Sequence, residues 1–457
     1  MLNSFIVKNE KKLTGLIATS VFFVLIYNII FYNPIEGYDA EAHYNYVDYF
    51  AMYLPDNIKF PSNTDSREFF NPPLPYLFPS FIQVLCRNLI QTENLALECR
   101  EYYGLYTQIF QSILYLISLF INFKTIQTLF SKKRISVLSF ILVFSIMTIN
   151  YKAISMIRGE IYIVFFMSFL LYIFVKLTKQ EFKYSKKEIF FFGIIIAGLA
   201  LSRQWAFLLF PSFFIIPFFI KNKLLRSRYF KFISYSFLVG FIFSSWFYIH
   251  LFLEYGSFTA FNKPPVSFSL KNQNIYFYLP ISVESLMVFS KPIRPYFSNQ
   301  FLPILYSDFW GDYWGYFSFT SRSLDTGRNQ LLIGDYLARV NIVSLVPSFM
   351  LIYSLFFAKK TIKESDTENC NIFLRYIYYA FIISIVGYLW FLIKYPELPT
   401  GDTNKATHMI HAFHILGILS VFLIEKIKEK NYSRYSTIVT VLIFIFFHNI
   451  SAMMSHF

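Results

Sequence analysis

Long apolar runs separated by short polar breaks occupy most of the chain. Each run holds about 16 to 22 residues, close to what an α-helix needs to cross the roughly 30 Å hydrocarbon core of a bilayer. Taken in order they predict membrane helices at about 13–32, 102–123, 135–151, 159–175, 188–202, 204–220, 232–253, 340–358, 376–394, 405–424 and 436–453. Two stretches lack such runs, 33–101 and about 254–339, and Pro264-Pro265, Lys291-Pro292, Arg294-Pro295 and Gly311 are their clearest breaks. The expected fold class is therefore all-α: a polytopic membrane bundle of about eleven helices. It forms one integral membrane domain over 1–457, with two long external loops carrying short amphipathic helices. Arg203 marks the least regular place, where two short spans or one broken helix fit the pattern.

Composition sharpens this picture. At 56% hydrophobic, 22% aromatic and 15% charged residues, the chain departs from soluble averages and excludes a packed water-soluble domain. The formal net charge of +14 would suggest nucleic acid if the basic residues were not short clusters between apolar runs. With Lys8, Lys11 and Lys12 placed in the cytoplasm, the first span runs outward. Ser131–Arg134, Lys176–Lys187, Lys221–Lys231, Lys359–Arg375 and Lys426–Arg434 then all fall inside, as the positive-inside bias requires. The first apolar run is long and lacks a small-residue cleavage site, which reads as an uncleaved anchor. Cys86 and Cys99 share the outer side, so a disulfide between them is open; Cys370 does not.

The chemistry concentrates directly after the first span, in Gly37-Tyr38-Asp39-Ala40-Glu41-Ala42-His43-Tyr44 and its sequel Phe69-Phe70-Asn71-Pro72-Pro73-Leu74. Behind Asp39, Tyr44, Val47, Ala51 and Leu54 recur at helical spacing while Glu41, Asn45 and Asp48 fall opposite, predicting an amphipathic helix on the membrane surface. Two roles for Asp39 remain open on the residues alone. It is well placed as the N-cap of that helix, with Glu41 complementing the dipole. It is equally placed as a general base at the lip of a membrane cavity, with cations opposite to hold a leaving phosphate.

Asp39 to Tyr44 followed by Asn71-Pro72-Pro73-Leu74 resembles the first external loop of GT-C glycosyltransferases, the group that includes protein O-mannosyltransferases and aminoarabinose transferases. The likeness in motif covers about 45 residues, with the second acid at Glu41 rather than adjacent to the first. It implies a sugar taken from a polyprenyl-phosphate donor on the outer face, with Asp39 as the catalytic acid acting as base. His43, Tyr44 and Asn71 then fall to acceptor or sugar binding, and Glu41 either shares the catalytic role, binds acceptor or caps. Met156-Ile157-Arg158-Gly159-Glu160 resembles a short signature of the same family, which puts Arg158 at the donor phosphate and Glu160 at the sugar; an Arg158 to Glu160 pair anchoring the helix end is the plainer reading. Gly198-Leu199-Ala200-Leu201-Ser202-Arg203 resembles a family segment whose lysine contacts the donor phosphate. Arg203 stands in that place, with an interfacial snorkelling arginine as the alternative.

Further along, Lys405, His408 and His411 are three apart at the opening of the tenth span. Such a stripe entering a membrane helix suits phosphate or acceptor binding, or else a polar seam between helices. Trp310 and Asp312, in an aromatic stretch of the second loop, suit the edge of a sugar pocket, although Trp and Tyr gather at any membrane interface. The expected function is a glycosyltransferase moving a sugar from a polyprenyl-phosphate donor to a glycan, lipid or protein acceptor with inversion. The alternatives are an O-antigen polymerase or ligase resting on Arg294, Arg322 and Arg328, and a lipid-linked sugar flippase or transporter. No metal ligand set is expected; a divalent cation is compatible but not indicated, and no nucleic acid partner is expected. The expected location is a bacterial inner membrane, with the site facing the periplasm or exterior and the N-terminus cytoplasmic.

Overall fold

A computed structural model of the chain describes residues 2–33, 39–54, 56–89, 95–130, 135–290, 292, 299–311, 330–364, 368–397 and 403–454. Among them every regular element is helical. The first span is α1 (Leu2–Phe31), followed outside it by α2 (Ala40–Tyr53) and α3 (Leu74–Leu89). Next come α4 (Leu95–Leu129), α5 (Val137–Ser145), α6 (Ile149–Ser155), α7 (Glu160–Lys179), α8 (Lys186–Ser202) and the five-residue α9 (Pro211–Ile215) between two 3₁₀ turns. The second half holds α10 (Lys223–Tyr255), α11 (Ile275–Tyr278), α12 (Val283–Leu286), α13 (Phe301–Trp310), α14 (Gln330–Val343), α15 (Leu345–Glu364), α16 (Glu368–Lys394), α17 (Ile410–Lys430) and α18 (Tyr432–Asn449).

The all-α polytopic membrane class is what the sequence predicts. Among the described residues eight helices are long and apolar enough to cross a bilayer. The expected span at 135–151 is instead the pair α5 and α6, bent by 69° across a short break, and counting it gives nine. Of the two short spans flanking Arg203, α8 has 17 residues and Gln204–Phe219 is a chain of 3₁₀ and α turns. The chain reverses at Arg203: Phe213 packs back on Phe192 of α8, and Phe219 stacks on Tyr379 in the first half of α16. Basic residues near the ends of α7, α15 and α17 and the starts of α8 and α10 thereby gather at the end of the bundle away from α2 and α3.

Burial follows this arrangement. α17 is the axis, with 94% of its most apolar stretch inside the protein, whereas α1, α10 and α15 turn Phe22, Phe23, Phe241, Ile242, Phe349 and Phe356 outward. Exposed apolar faces of that extent suit contact with lipid tails. Helix α2 departs from the expectation of a surface helix. Tyr44, Val47 and Ala51 are buried, but so are Tyr46 and Phe50, because α3 and α4 close over it. Its polar face is bonded within the protein: Asp48 and Asn45 accept from Arg100 at 2.7 and 2.8 Å. A disulfide between Cys86 and Cys99 joins the end of α3 to α4.

Small residues set the closest helix approach. A Cβ added at Gly193 of α8 would lie 2.5 Å from Val239 Cβ and 2.8 Å from the Ser236 carbonyl of α10, and one at Gly240 would meet Ile196. Backbones that touch in this way trade side-chain volume for dispersion contact, which is how membrane helices associate. Gly193→Leu should push α8 off α10 and destabilise the protein by about 1–3 kcal/mol. Reversible unfolding in mixed micelles measures this, and an unchanged midpoint would contradict the packing.

Candidate active site

Asp39 begins α2 in the left-handed region, φ 60° and ψ 5°, a conformation that aspartate tolerates better than most residues. It occupies the N-cap position, yet its side chain makes no cap hydrogen bond. Its carboxylate turns away from the helix, and Oδ2 accepts from Lys405 Nζ at 2.7 Å. The lysine charge holds the Asp39 carboxyl well below the usual carboxylate range; burial opposes this, and the Arg158 guanidinium adds to it. The first loop and the entrance to the tenth predicted span, 366 residues apart in sequence, thus meet at one ion pair.

Lys405 is itself positioned. Its backbone N–H donates to Tyr388 Oη of α16 at 2.7 Å, and the next N–H, that of Ala406, donates to Asp308 Oδ2 of α13. Asp308 also pairs with Lys152 of α6 at 2.7 Å, both side chains being fully buried. A buried pair of this kind is strongly destabilising to break from one side. His408 sits one 3₁₀ turn beyond Lys405, stacked on Trp205 at 4.5 Å and 3.5 Å from Tyr388 Oη.

A second charged group lies beside the first. Arg203 is in extended backbone between α8 and the returning segment and is almost fully buried. Its Nη1 donates to Asn71 Oδ1, its Nη2 donates to Glu160 Oε1 at 3.1 Å, and Glu68 Oε2 lies 3.5 Å away. Asn71 Nδ2 in turn donates to Glu68. Burial works against a charged guanidinium, but Glu160, Glu68 and Tyr76 outweigh it, so Arg203 stays a cation. Gly159 makes room for this: a Cβ there would lie 2.2 Å from the Ser202 carbonyl and 2.5 Å from Arg203 Cγ. Gln204 Nε2 then donates to the Phe70 carbonyl at 3.0 Å, tying the reversal to the Asn-Pro-Pro element.

His43 links the two groups. Its Nδ1 is 2.7 Å from Tyr76 Oη and its Nε2 is 3.9 Å from Glu68. Burial, reinforced by the Arg158 and Arg203 charges, holds the imidazole well below its ordinary value, so it is neutral at physiological pH. Arg158 is buried with its charge felt at Asp39, His43 and His408, which places it in the same cluster.

Of the residues singled out from the sequence, Asp39, His43, Asn71, Arg158, Glu160, Arg203, Lys405 and His408 come together. Others do not. Glu41 is exposed on α2. Tyr44 faces Tyr103 and Arg100 on the α4 side. His411 lies deeper, its Nε2 2.9 Å from Ser384 Oγ of α16, so the expected stripe divides and His411 belongs to the polar seam between helices. Trp310 is buried with its indole donating to Ser348, which leaves no face for a sugar. Asp312 lies outside the described residues, as do Arg294, Arg322 and Arg328. Sequence reading missed Glu68, Tyr76, Trp205 and Tyr388; only Glu68, an acid three residues before Asn71, carried a readable signal. Among the described residues no three His, Cys, Asp or Glu side chains gather as a metal site.

The Asp39 pair gives a direct pH expectation. A carboxyl lower in the folded than in the unfolded chain adds stability above the ordinary carboxylate value of about 4. That stability is lost as pH falls toward the folded value. Lys405→Met removes the largest cause of the depression, so the stability lost on acidification below about pH 4 should be smaller than in the wild type; superimposable stability–pH curves would contradict the pairing. No family model matches this chain, and no curated protein matches it significantly.

Proposed function

We propose that this protein is a membrane glycosyltransferase that moves a sugar from a polyprenyl-phosphate donor to a glycan, lipid or protein acceptor, with Asp39 as general base. The observation that carries the reading is the pairing of Asp39 with Lys405 inside a cluster that also holds Arg158 and Arg203. A polyprenyl phosphate needs cations at the membrane edge, and an acceptor hydroxyl or amine needs a carboxylate beside them. Both are supplied within one constellation.

In the resting pair Asp39 is deprotonated but a weak base, because Lys405 stabilises its charge. A donor phosphate competes for the same ammonium. As Lys405 turns to the phosphate, the carboxylate loses its main partner and gains basicity. The acceptor heteroatom then attacks the anomeric carbon, the bond from that carbon to the phosphate oxygen breaks, and the acceptor proton passes to Asp39. The electron pair leaves on the polyprenyl phosphate, whose charge Lys405 and Arg158 offset. A single displacement of this kind inverts the anomeric centre.

The remaining groups have supporting roles. Arg203, with both terminal nitrogens engaged, positions Asn71 and Glu160 and contributes positive potential. Glu160 Oε2 is buried and accepts no hydrogen bond among the described residues, which suits a sugar hydroxyl as donor. Trp205 stacked on His408 offers an aromatic wall near Lys405. The Cys86–Cys99 bridge and the gathering of basic residues at the opposite end support an outward-facing site, in keeping with a bacterial inner membrane and a periplasmic reaction.

Asp39→Asn should lower transfer by about 10²–10⁴-fold while the protein still inserts and folds in the membrane. The measurement is sugar transfer from a polyprenyl-phosphate donor in proteoliposomes, against accumulation of the untransferred donor in a deletion strain identified by mass spectrometry. Full turnover by Asp39→Asn would overturn the assignment and favour the polymerase alternative.

A further inference from the structure

Helices α7 and α8 form a hairpin that starts and ends at the cluster just described, with Glu160 at one end and Ser202 returning beside it. The 20 residues of α7 span about 30 Å, so the turn at 180–185 lies a membrane thickness from Asp39. There the turn and the start of α10 surround an open cavity of about 1070 Å³. Lys179, Lys183, Arg228 and Lys231 line it, against only Glu181 and Glu188. Glu188 is already engaged by the N–H and Oγ of Ser185 in the capping box of α8. Among the described residues Lys183, Arg228 and Lys231 have no carboxylate partner.

The turn is built to hold this mouth open. Glu181 and Phe182 are consecutive left-handed residues, φ 53° and 50°, a conformation that L side chains adopt only when the surroundings impose it. Phe182 is fully buried against Tyr229 at 4.8 Å and Phe174 at 5.8 Å, which imposes it and leaves Lys183 exposed at the rim. Next to the mouth, α7 and α8 enclose an apolar groove of about 320 Å³ lined by Phe165, Phe169, Ile173, Phe191 and Ile194. Glu188 borders both spaces and Lys176 also lines the groove, so groove and cationic mouth adjoin.

We infer that these adjoining spaces hold an anionic phospholipid, with an acyl chain in the α7–α8 groove and the phosphate headgroup among Lys183, Arg228 and Lys231. A purely apolar groove would take any lipid tail, and a purely cationic mouth any anion. Their junction at the depth of a headgroup selects a molecule with both parts. The inference is independent of the transfer reaction.

The test uses the full chain, delipidated in neutral detergent and offered equimolar dioleoyl phosphatidylglycerol and dioleoyl phosphatidylcholine, with bound lipid counted by native mass spectrometry. Wild type should retain the phosphatidylglycerol preferentially. Lys183→Gln with Arg228→Gln should reduce that retention roughly thirtyfold for the loss of two surface cations and leave phosphatidylcholine retention unchanged, which a misfolded protein would not do. Ile194→Trp, filling the groove, should reduce both. Equal retention of the two lipids by wild type, or a preference that survives the double substitution, would overturn the site. So would stabilisation by millimolar inorganic phosphate alone as large as that by phosphatidylglycerol, which would assign the mouth to free anions.

Discussion

Charged side chains withdrawn from water at a membrane edge have to be neutralised by one another, and this constraint organises the end of the bundle that carries α2 and α3. Asp39 with Lys405, Lys152 with Asp308, and Arg203 with Glu160 and Glu68 are three such solutions. None is local in sequence. Together they draw the first loop, α6, α7, the reversal after α8, α13 and the entrance to α17 to a common point. The apolar packing of the spans brings these elements near, and the ion pairs fix their register.

The same constraint shapes the chemistry. A carboxylate stabilised by a neighbouring ammonium is ionised but unreactive, so a base built this way needs its partner removed at the right moment. In the proposed reaction an anionic donor would do that by competing for the ammonium, coupling donor arrival to the onset of basicity. Neutral His43 adds no competing charge, and Arg203, saturated by two carboxylates and Asn71, holds the second half of the site in place.

Much of this was legible in the residues. Apolar periodicity gave the membrane class because helices in lipid must satisfy their own backbone, leaving span length as a strong signal. Asp39, Asn71, Arg203 and Lys405 stood out because ionisable or proline-flanked polar residues are rare beside apolar runs. What was hidden depends on tertiary approach. The bend between α5 and α6 follows from no proline or glycine at the break, and the burial of α2 on several faces requires α3 and α4 to be in place. His411 and His408 look alike in sequence, yet one faces Ser384 in a helix seam and the other stacks on Trp205 beside Tyr388. Trp310 reads as an interfacial aromatic and is instead core, because α13 is drawn inward by Asp308.

The most direct measurement is a density map of the purified protein with a polyprenyl-phosphate sugar bound. The donor phosphate is expected in hydrogen-bond contact with Lys405, with the Asp39–Lys405 pair opened and the anomeric carbon facing the freed carboxylate. A phosphate seated elsewhere, with the Asp39–Lys405 pair intact, would contradict that expectation.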